Sequence, residues 1–184
     1  MILRLRIFDF DGTLFNSPQP PNWWKDPAGW FYSIESMTPP CLAETPSDDW
    51  WIESTVSDVR DSLSDRSNYV VLLTGRQWTV FADRVHELLE QKSLKFDEIH
   101  LSDRVDTVDF KVECIKRLLS EHPTVEVVEM WDDMLDRIPP CRAAVDGAGV
   151  KFKLHKVDMK ERKSPCTEDE FLTKKVVSRY ASLV

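Results

Sequence analysis

The chain has 184 residues, of which 42% are hydrophobic and 30% are charged, and this composition predicts one compact domain over residues 1–184. Its 24 Lys and Arg against 32 Asp and Glu give a formal net charge of −8, which argues against a protein that coats nucleic acid by charge alone. No stretch approaches the roughly 20 apolar residues that span a bilayer, so we expect no membrane partner.

The cysteines lie far apart in the sequence and form no Cys-x-x-Cys pair, so neither a zinc site nor a dense disulfide framework is predicted. Isolated thiols fit a reducing compartment, and we therefore expect a cytoplasmic protein, with the nucleus left open. The thiols in question are Cys41, Cys114, Cys141 and Cys166.

The first predicted element is a strand over residues 2–8, which ends at Asp9. An insert rich in proline and tryptophan follows over residues 16–52. Repeated proline breaks helices and central strands, and so many aromatic rings would not stay in water, so we predict an ordered loop packed on the body of the domain. Its tryptophans either anchor that loop or stack on nucleobases. They are Trp23, Trp24, Trp30, Trp50 and Trp51.

Strands and helices alternate along the rest of the chain. Apolar residues at helical spacing predict helices that begin near Ser47, that cover residues 81–89 and 108–119, and that begin at a capping box of Thr167 and Glu170. Short runs of strand-forming residues predict strands within residues 69–73, 99–101, 125–131 and 150–157. This alternation is typical of an α/β fold around a mostly parallel sheet, in which functional groups gather at the carboxyl ends of the strands.

Polar motifs stand at these strand ends. They are Asp9-Phe10-Asp11-Gly12-Thr13, Thr74-Gly75-Arg76 and Trp131-Asp132-Asp133, with Lys111 just inside the third helix. Converging carboxylates repel one another unless a cation compensates them or a pKa rises, and their oxygen donors favour Mg²⁺ over zinc. A hydroxyl, an ammonium and loop amides are the donors that an anion needs. The motifs therefore predict a magnesium and phosphate site in which a carboxylate is a competent nucleophile toward phosphorus.

The order and content of the motifs resemble the haloacid dehalogenase (HAD) superfamily of phosphohydrolases over residues 3 to about 137. The resemblance implies a HAD-type Rossmannoid three-layer sandwich. It implies that Asp9 attacks the phosphoryl group, and that Asp11 protonates the leaving oxygen and then deprotonates water. It also implies that Thr74 and Lys111 hold the phosphoryl oxygens.

The same resemblance implies a Mg²⁺ ion held by the Asp9 carboxylate, the Asp11 backbone carbonyl and an acid of the Asp132-Asp133 pair. The usual motif spaces its two acids further apart, as Asp132 and Asp136 also are. The second acid is therefore either Asp133 or Asp136.

A second, more specific resemblance concerns the insert. The run Phe15-Asn16-Ser17-Pro18, with Pro21-Asn22-Trp23-Trp24 and Gly29-Trp30, is similar to the HAD family described as "Swiss Army Knife" RNA-repair-like. The Thr74-Gly75-Arg76 turn, the Thr107-x-x-Phe110-Lys111 element and Asp132-Asp133 are similar to polynucleotide 3′-phosphatase domains. These resemblances imply a role in RNA end processing.

Gly75 and Arg76 are further candidates for substrate binding, although Arg76 either binds the substrate phosphate or pairs with a surface acid. Too few residues separate the motifs to form a large cap domain, so the site is expected to be open. An open site suits a macromolecular substrate, or a protein partner that closes it. The C-terminal segment over residues 151–184 begins with a locally basic run, which is either a solvated strand edge or a guide for a polyanion.

The sequence thus predicts a Mg²⁺-dependent phosphohydrolase that acts through an aspartyl-phosphate on Asp9. The predicted substrate is a terminal phosphate on a polynucleotide, on an RNA or a DNA end, with RNA preferred. One alternative is a HAD phosphatase for a nucleotide, a sugar phosphate or a phosphoprotein. The other alternative is a non-catalytic HAD-fold protein with a role in binding or in assembly.

Overall fold

The structure is a computed structural model that describes the backbone of residues 1–158 and 166–181, and side chains as far as residue 174. Its strands are β1 (Arg4–Phe8), β2 (Asn68–Gln77), β3 (Glu98–Ser102), β4 (Val127–Asp132) and β5 (Lys151–Lys156). They form one sheet in the order β3-β2-β1-β4-β5, and every neighbouring pair is parallel. The predicted α/β fold with a mostly parallel sheet is confirmed.

Helices cover both faces of the sheet. They are α1 (Pro27–Trp30), α2 (Glu53–Ser64), α3 (Trp78–Gln91), α4 (Thr107–Glu121), α5 (Ile138–Gly147) and α6 (Glu168–Ala181). Apolar side chains of α2 and α3 pack in a core on one face, and those of α4 and α5 pack in a second core on the other. The result is the expected three-layer sandwich. Within the described ranges, no helix has the length and apolar content needed to cross a membrane.

The interior strand β2 shows how the sequence creates two cores. Alternate side chains of a strand point to opposite faces, and a strand covered on both sides reads as a continuous apolar run. Val70 and Leu72 accordingly join the α2/α3 core, while Val71 and Leu73 join the α4/α5 core. The strand continues past the predicted end at Leu73 and carries the Thr74-Gly75-Arg76 motif to the edge of the sheet.

Apart from the short α1 in the predicted loop, two helices differ from the prediction. The first begins at Glu53 and not near Ser47, because Asp48–Trp50 forms a 3₁₀ turn and Trp51 is extended and paired with Phe15. The helix α5 was not predicted, because its opening Ile-Pro-Pro run is typical of a break in regular structure. Proline is nevertheless well tolerated in the first turn of a helix, where its missing N–H has no intrahelical partner.

The insert over residues 16–52 packs against the body of the domain, as predicted. Trp30 is fully buried, and its Nε1 donates a 2.7 Å hydrogen bond to the Pro18 carbonyl. Arg84 of α3 reaches into the insert and donates to the carbonyls of Met37, Ala43 and Glu44 at 2.7–2.9 Å. These bonds fix the path of a segment that has little regular structure.

A disulfide joins Cys41 of the insert to Cys166, just before α6, across 125 residues of sequence. The prediction of isolated thiols is therefore wrong for this pair, since distant cysteines without a motif gave no sign of their contact. Cys114 and Cys141 are unpaired. The pairing removes the cysteine-based argument for a reducing compartment, and the cytoplasmic location stays a prediction.

The C-terminal segment is described in part. The predicted capping box is confirmed, because the Thr167 amide donates to Glu170 Oε2 at 2.8 Å and the Glu170 amide donates to Thr167 Oγ1 at 3.3 Å. The basic side chains of β5 are exposed or half-buried. The rest of the basic run, Lys160, Arg162 and Lys163, lies outside the described residues.

Candidate active site

The register of the sheet places two acids side by side. Phe8 of β1 lies opposite Trp131 of β4, so Asp9 and Asp132, which come next along each strand, are level at the carboxyl edge. Lys111 enters from the second turn of α4, and its Nζ donates to Asp9 Oδ1 at 3.0 Å and to Asp132 Oδ2 at 2.8 Å. All three side chains are buried. The structure thus brings Asp9 into contact with Lys111, 102 positions further along the chain, and places both beside Asp132.

Burial dominates the electrostatics of this trio. Burial raises the pKa of Asp9, the nearby carboxylates of Asp132 and Asp11 add to this effect and Lys111 opposes it, and the net result is a pKa of about 8. Burial also lowers the pKa of Lys111, but the Asp9 and Asp132 carboxylates together raise it well above its usual range. The ammonium therefore stays charged, while Asp9 holds a proton more tightly than an ordinary carboxyl does.

Asp133 completes an acidic cluster at this edge. One carboxylate oxygen from each of Asp9, Asp132 and Asp133 lies within 4.8 Å of the other two. A set of oxygen donors at this separation fits a hard divalent cation, whose charge would offset their repulsion. Asp136 is exposed and lines the neighbouring cleft without belonging to the cluster. Between the two candidates for the second acid, the geometry favours Asp133.

Arg76 is buried and pairs with Asp11, a half-buried acid of the first motif and not the surface acid considered from the sequence. Its Nε and Nη2 donate to the Asp11 carboxylate at 2.7–3.0 Å, a bidentate arrangement. Its Nη1 donates to the Phe31 carbonyl at 2.9 Å and to Ser36 Oγ at 2.7 Å. Arg76 is 2% exposed, and its guanidinium lies over the Phe81 ring. One buried side chain thus connects the insert to the second Asp of the first motif.

The remaining motif residues are placed as follows. Gly12 has a φ of 73°, a left-handed conformation that favours glycine, and it lines the cleft beside Asp9. Gly75 lies close to α4, since a Cβ there would lie 3.0 Å from Thr107 Cγ2 and the Thr107 side chain would have to shift. Thr74 is fully buried, and its hydroxyl accepts a hydrogen bond from the Arg76 amide at 3.2 Å. Its contact with a phosphoryl oxygen stays a prediction.

These groups open into a cleft of about 660 Å³. Phe31 and Tyr32 of the insert form one wall, and Met134, Leu135 and Arg137 after β4 form another. Sequence reasoning missed these wall residues because none belongs to a motif. The dense aromatic content of the insert was the signal that pointed to this part of the chain. The described residues between β1 and β2 form no separate cap domain over the cleft.

Comparison with known proteins identifies the family. Residues 13–159 match the HAD domain family 1 in Swiss Army Knife RNA repair proteins, which is most of the chain. The chain belongs to this family. The HAD domain is also 28% identical over 163 residues to the uncharacterized protein YMR265C of Saccharomyces cerevisiae strain S288c, with 77% of this chain and 33% of that protein covered. It therefore spans about a third of that relative's length.

Solved structures share the fold of this HAD domain. A chain of the Pnkp1/Rnl/Hen1 RNA repair complex superposes with a TM-score of 0.51 at 17% identity, covering 84% of this chain and 43% of that one. The HAD domain of the effector protein Lem4 from Legionella pneumophila superposes with a TM-score of 0.56 at 14% identity, covering 96% and 95%. At these identities the similarity shows the fold alone, and it agrees with the predicted HAD-type sandwich.

Proposed function

We propose that this HAD domain is a phosphohydrolase that removes a terminal phosphate from a polynucleotide, with RNA as the preferred substrate. The observation that carries the proposal is the buried trio in which Lys111 bridges Asp9 and Asp132, beside an Asp11 carboxylate held by Arg76. The trio supplies a nucleophile and a fixed positive charge, and Asp11 supplies a separate proton carrier. Phosphoryl transfer depends mainly on such positioning and charge stabilisation.

The proposed chemistry has two steps. In the first, an Asp9 carboxylate oxygen forms a bond to phosphorus while the bond from phosphorus to the leaving oxygen breaks, and Asp11 gives that oxygen a proton. In the second, Asp11 takes a proton from water as the water attacks the aspartyl-phosphate, which releases inorganic phosphate and restores both acids. Lys111 and Thr74 hold the phosphoryl oxygens throughout.

A divalent cation, proposed to be Mg²⁺, fits the cluster of Asp9, Asp132 and Asp133. When bound, it would supply positive charge that favours the ionised form of Asp9 and offsets the charge of the phosphoryl group. The backbone carbonyl of Asp11 is a further proposed ligand.

The family description supports a polynucleotide as the substrate, since the matching domains occur in RNA repair proteins. The cleft supports a large substrate, because no cap domain of the described residues covers it and aromatic side chains form one wall. A protein partner that closes the cleft stays a prediction.

A substrate panel tests the proposed function. We expect phosphate release from a generic aryl phosphate, and a higher kcat/KM for oligoribonucleotides that end in a 3′-phosphate or 5′-phosphate. Nucleotides, sugar phosphates and a phosphopeptide serve as the comparison set. A higher kcat/KM for any of these small or peptide substrates would contradict the polynucleotide proposal, and no release from any substrate would favour a non-catalytic binding or assembly role.

We expect Mg²⁺ to stabilise the folded protein through the acidic cluster. At roughly a hundred times its Kd, a ligand that binds only the folded state raises the melting temperature of a domain of this size by roughly 5–10 °C. Thermal unfolding with and without Mg²⁺ measures the shift. Asp133→Asn should remove most of it, whereas Asp136→Asn, the matched control, should keep it. The opposite pattern would assign the second acid to Asp136.

A further inference from the structure

A second recess adjoins the active-site cleft. We call it the outer recess; it is lined by Trp23, Trp24, Lys25, Asp26, Tyr32 and Ser33, and its volume is about 540 Å³. Tyr32 lines both the outer recess and the cleft that contains Asp9 and Lys111. Tyr32 therefore lies at the boundary between the two recesses.

The chemistry of the outer recess suits flat, uncharged groups. Tyr32 is 38% exposed, and Trp24 is half-buried. One Lys and one Asp line the outer recess, so it has no formal net charge. Affinity for a ligand here would come from stacking on aromatic rings, which every nucleobase can do, and not from attraction to a polyanionic backbone.

Buried neighbours hold the tryptophans of the outer recess in place. The Trp24 ring packs edge-on against the buried Trp30 at 5.0 Å and against Phe171 of α6 at 5.8 Å. The neighbouring Trp23 donates from Nε1 to the Cys166 carbonyl at 3.3 Å. Cys166 is in turn disulfide-bonded to Cys41. A surface held in this way loses little conformational freedom when a base stacks on it, which favours binding.

We propose that the outer recess is the subsite for the nucleotide next to the phosphate-bearing terminal nucleotide, and that Tyr32 and Trp24 stack on its base. The proposal rests on the proposed function and narrows it to single-stranded ends of at least two nucleotides. Because stacking tolerates every base, the subsite selects for chain length and strandedness and not for sequence.

Substrate length is the direct test. For wild-type protein, we expect kcat/KM for a single-stranded trinucleotide with a terminal phosphate to exceed that of the matching mononucleotide by about fivefold or more. Tyr32→Ala should reduce this ratio by about fivefold, while Tyr32→Phe, which keeps the ring, should preserve it. The ratio should also persist from low to high salt, since the outer recess carries no net charge.

Trp78 provides the matched control. It is 52% exposed at the same edge of the sheet, at the start of α3, and it lines neither recess. Trp78→Ala should leave the trinucleotide to mononucleotide ratio unchanged. A ratio near one in the wild type, or a ratio that falls in Trp78→Ala and not in Tyr32→Ala, would overturn the proposal.

Equilibrium binding separates this proposal from the proposed function. The trinucleotide is titrated into Asp9→Asn protein, with and without Tyr32→Ala, and the Kd should weaken by about fivefold when the ring is lost. Such a result without turnover in the wild type would reject the phosphatase and keep the subsite. Tighter Tyr32-dependent binding of a phosphopeptide than of the trinucleotide would overturn the subsite.

Discussion

Asp9→Asn protein is expected to release phosphate roughly 10⁴–10⁶-fold more slowly than the wild type, the loss that follows removal of a covalent nucleophile. The amide keeps the size of the carboxyl group but cannot attack phosphorus. Because Asp9 is buried and its pKa is raised to about 8, its charge is costly to the fold, and the variant should remain folded. The variant should also lose acid-stable labelling of the protein by a radioactive phosphoryl donor. Steady-state phosphate release and this labelling measure the two losses.

The matched control is Asp83→Asn on the exposed side of α3, which should retain wild-type turnover and labelling. Circular dichroism of both variants checks that they are folded. Normal phosphate release by folded Asp9→Asn protein would rule out the aspartyl-phosphate mechanism.

Asp11→Asn is expected to slow the first chemical step by roughly 10²–10⁴-fold, the usual contribution of a positioned general acid. The loss should be largest for an alkyl phosphate, whose leaving oxygen needs a proton, and much smaller for a dinitrophenyl phosphate, whose leaving oxygen does not. Single-turnover release of the alcohol or phenol reports this step before the aspartyl-phosphate is hydrolysed. In the structure, two donor atoms of Arg76 fix the Asp11 carboxylate, and Asp11 lines the same cleft as Asp9.

An equal loss for both leaving groups would contradict proton transfer by Asp11 and would indicate a purely structural effect. Such an effect is a real alternative, since Arg76 also holds the Phe31 carbonyl and Ser36 of the insert. Ser36→Ala tests that contact separately, because it removes a hydrogen bond from Arg76 and leaves the carboxylate pair intact. We expect it to slow both leaving groups to the same small extent.

Much of the fold could be predicted from the sequence because its determinants are local. The run from Tyr69 to Leu73 is apolar on both faces, which is the pattern of a central parallel strand, and the structure places it there. The helix α5 could not be predicted in the same way, since Pro139 and Pro140 break a helix everywhere except in its first turn. Whether a proline begins a helix or ends one depends on packing that the local sequence does not contain.

The candidate site likewise contains residues whose placement could be predicted from the sequence and residues whose contacts depend on tertiary packing. Asp9, Asp132 and Lys111 were expected to meet because parallel strands end at a common edge, and the structure places them in contact. The partner of Arg76 was left open, since an arginine reaches many positions and only the folded insert selects Asp11. The contact between Cys41 and Cys166 depends on tertiary structure entirely.

The position of β1 has a consequence for how the site forms. The strands β2 and β4 both pair with β1 and not with each other, so without β1 the sheet would consist of two separate pairs. Asp9 directly follows this strand, and its level in the sheet is set by the same backbone hydrogen bonds that join the two halves. The pairing that joins the two halves of the sheet therefore also places Asp9, the proposed nucleophile, beside Asp132. In a chain with the complete sheet the Asp9 carboxylate lies beside Lys111, and a partly folded chain without β1 in the sheet would lack this contact.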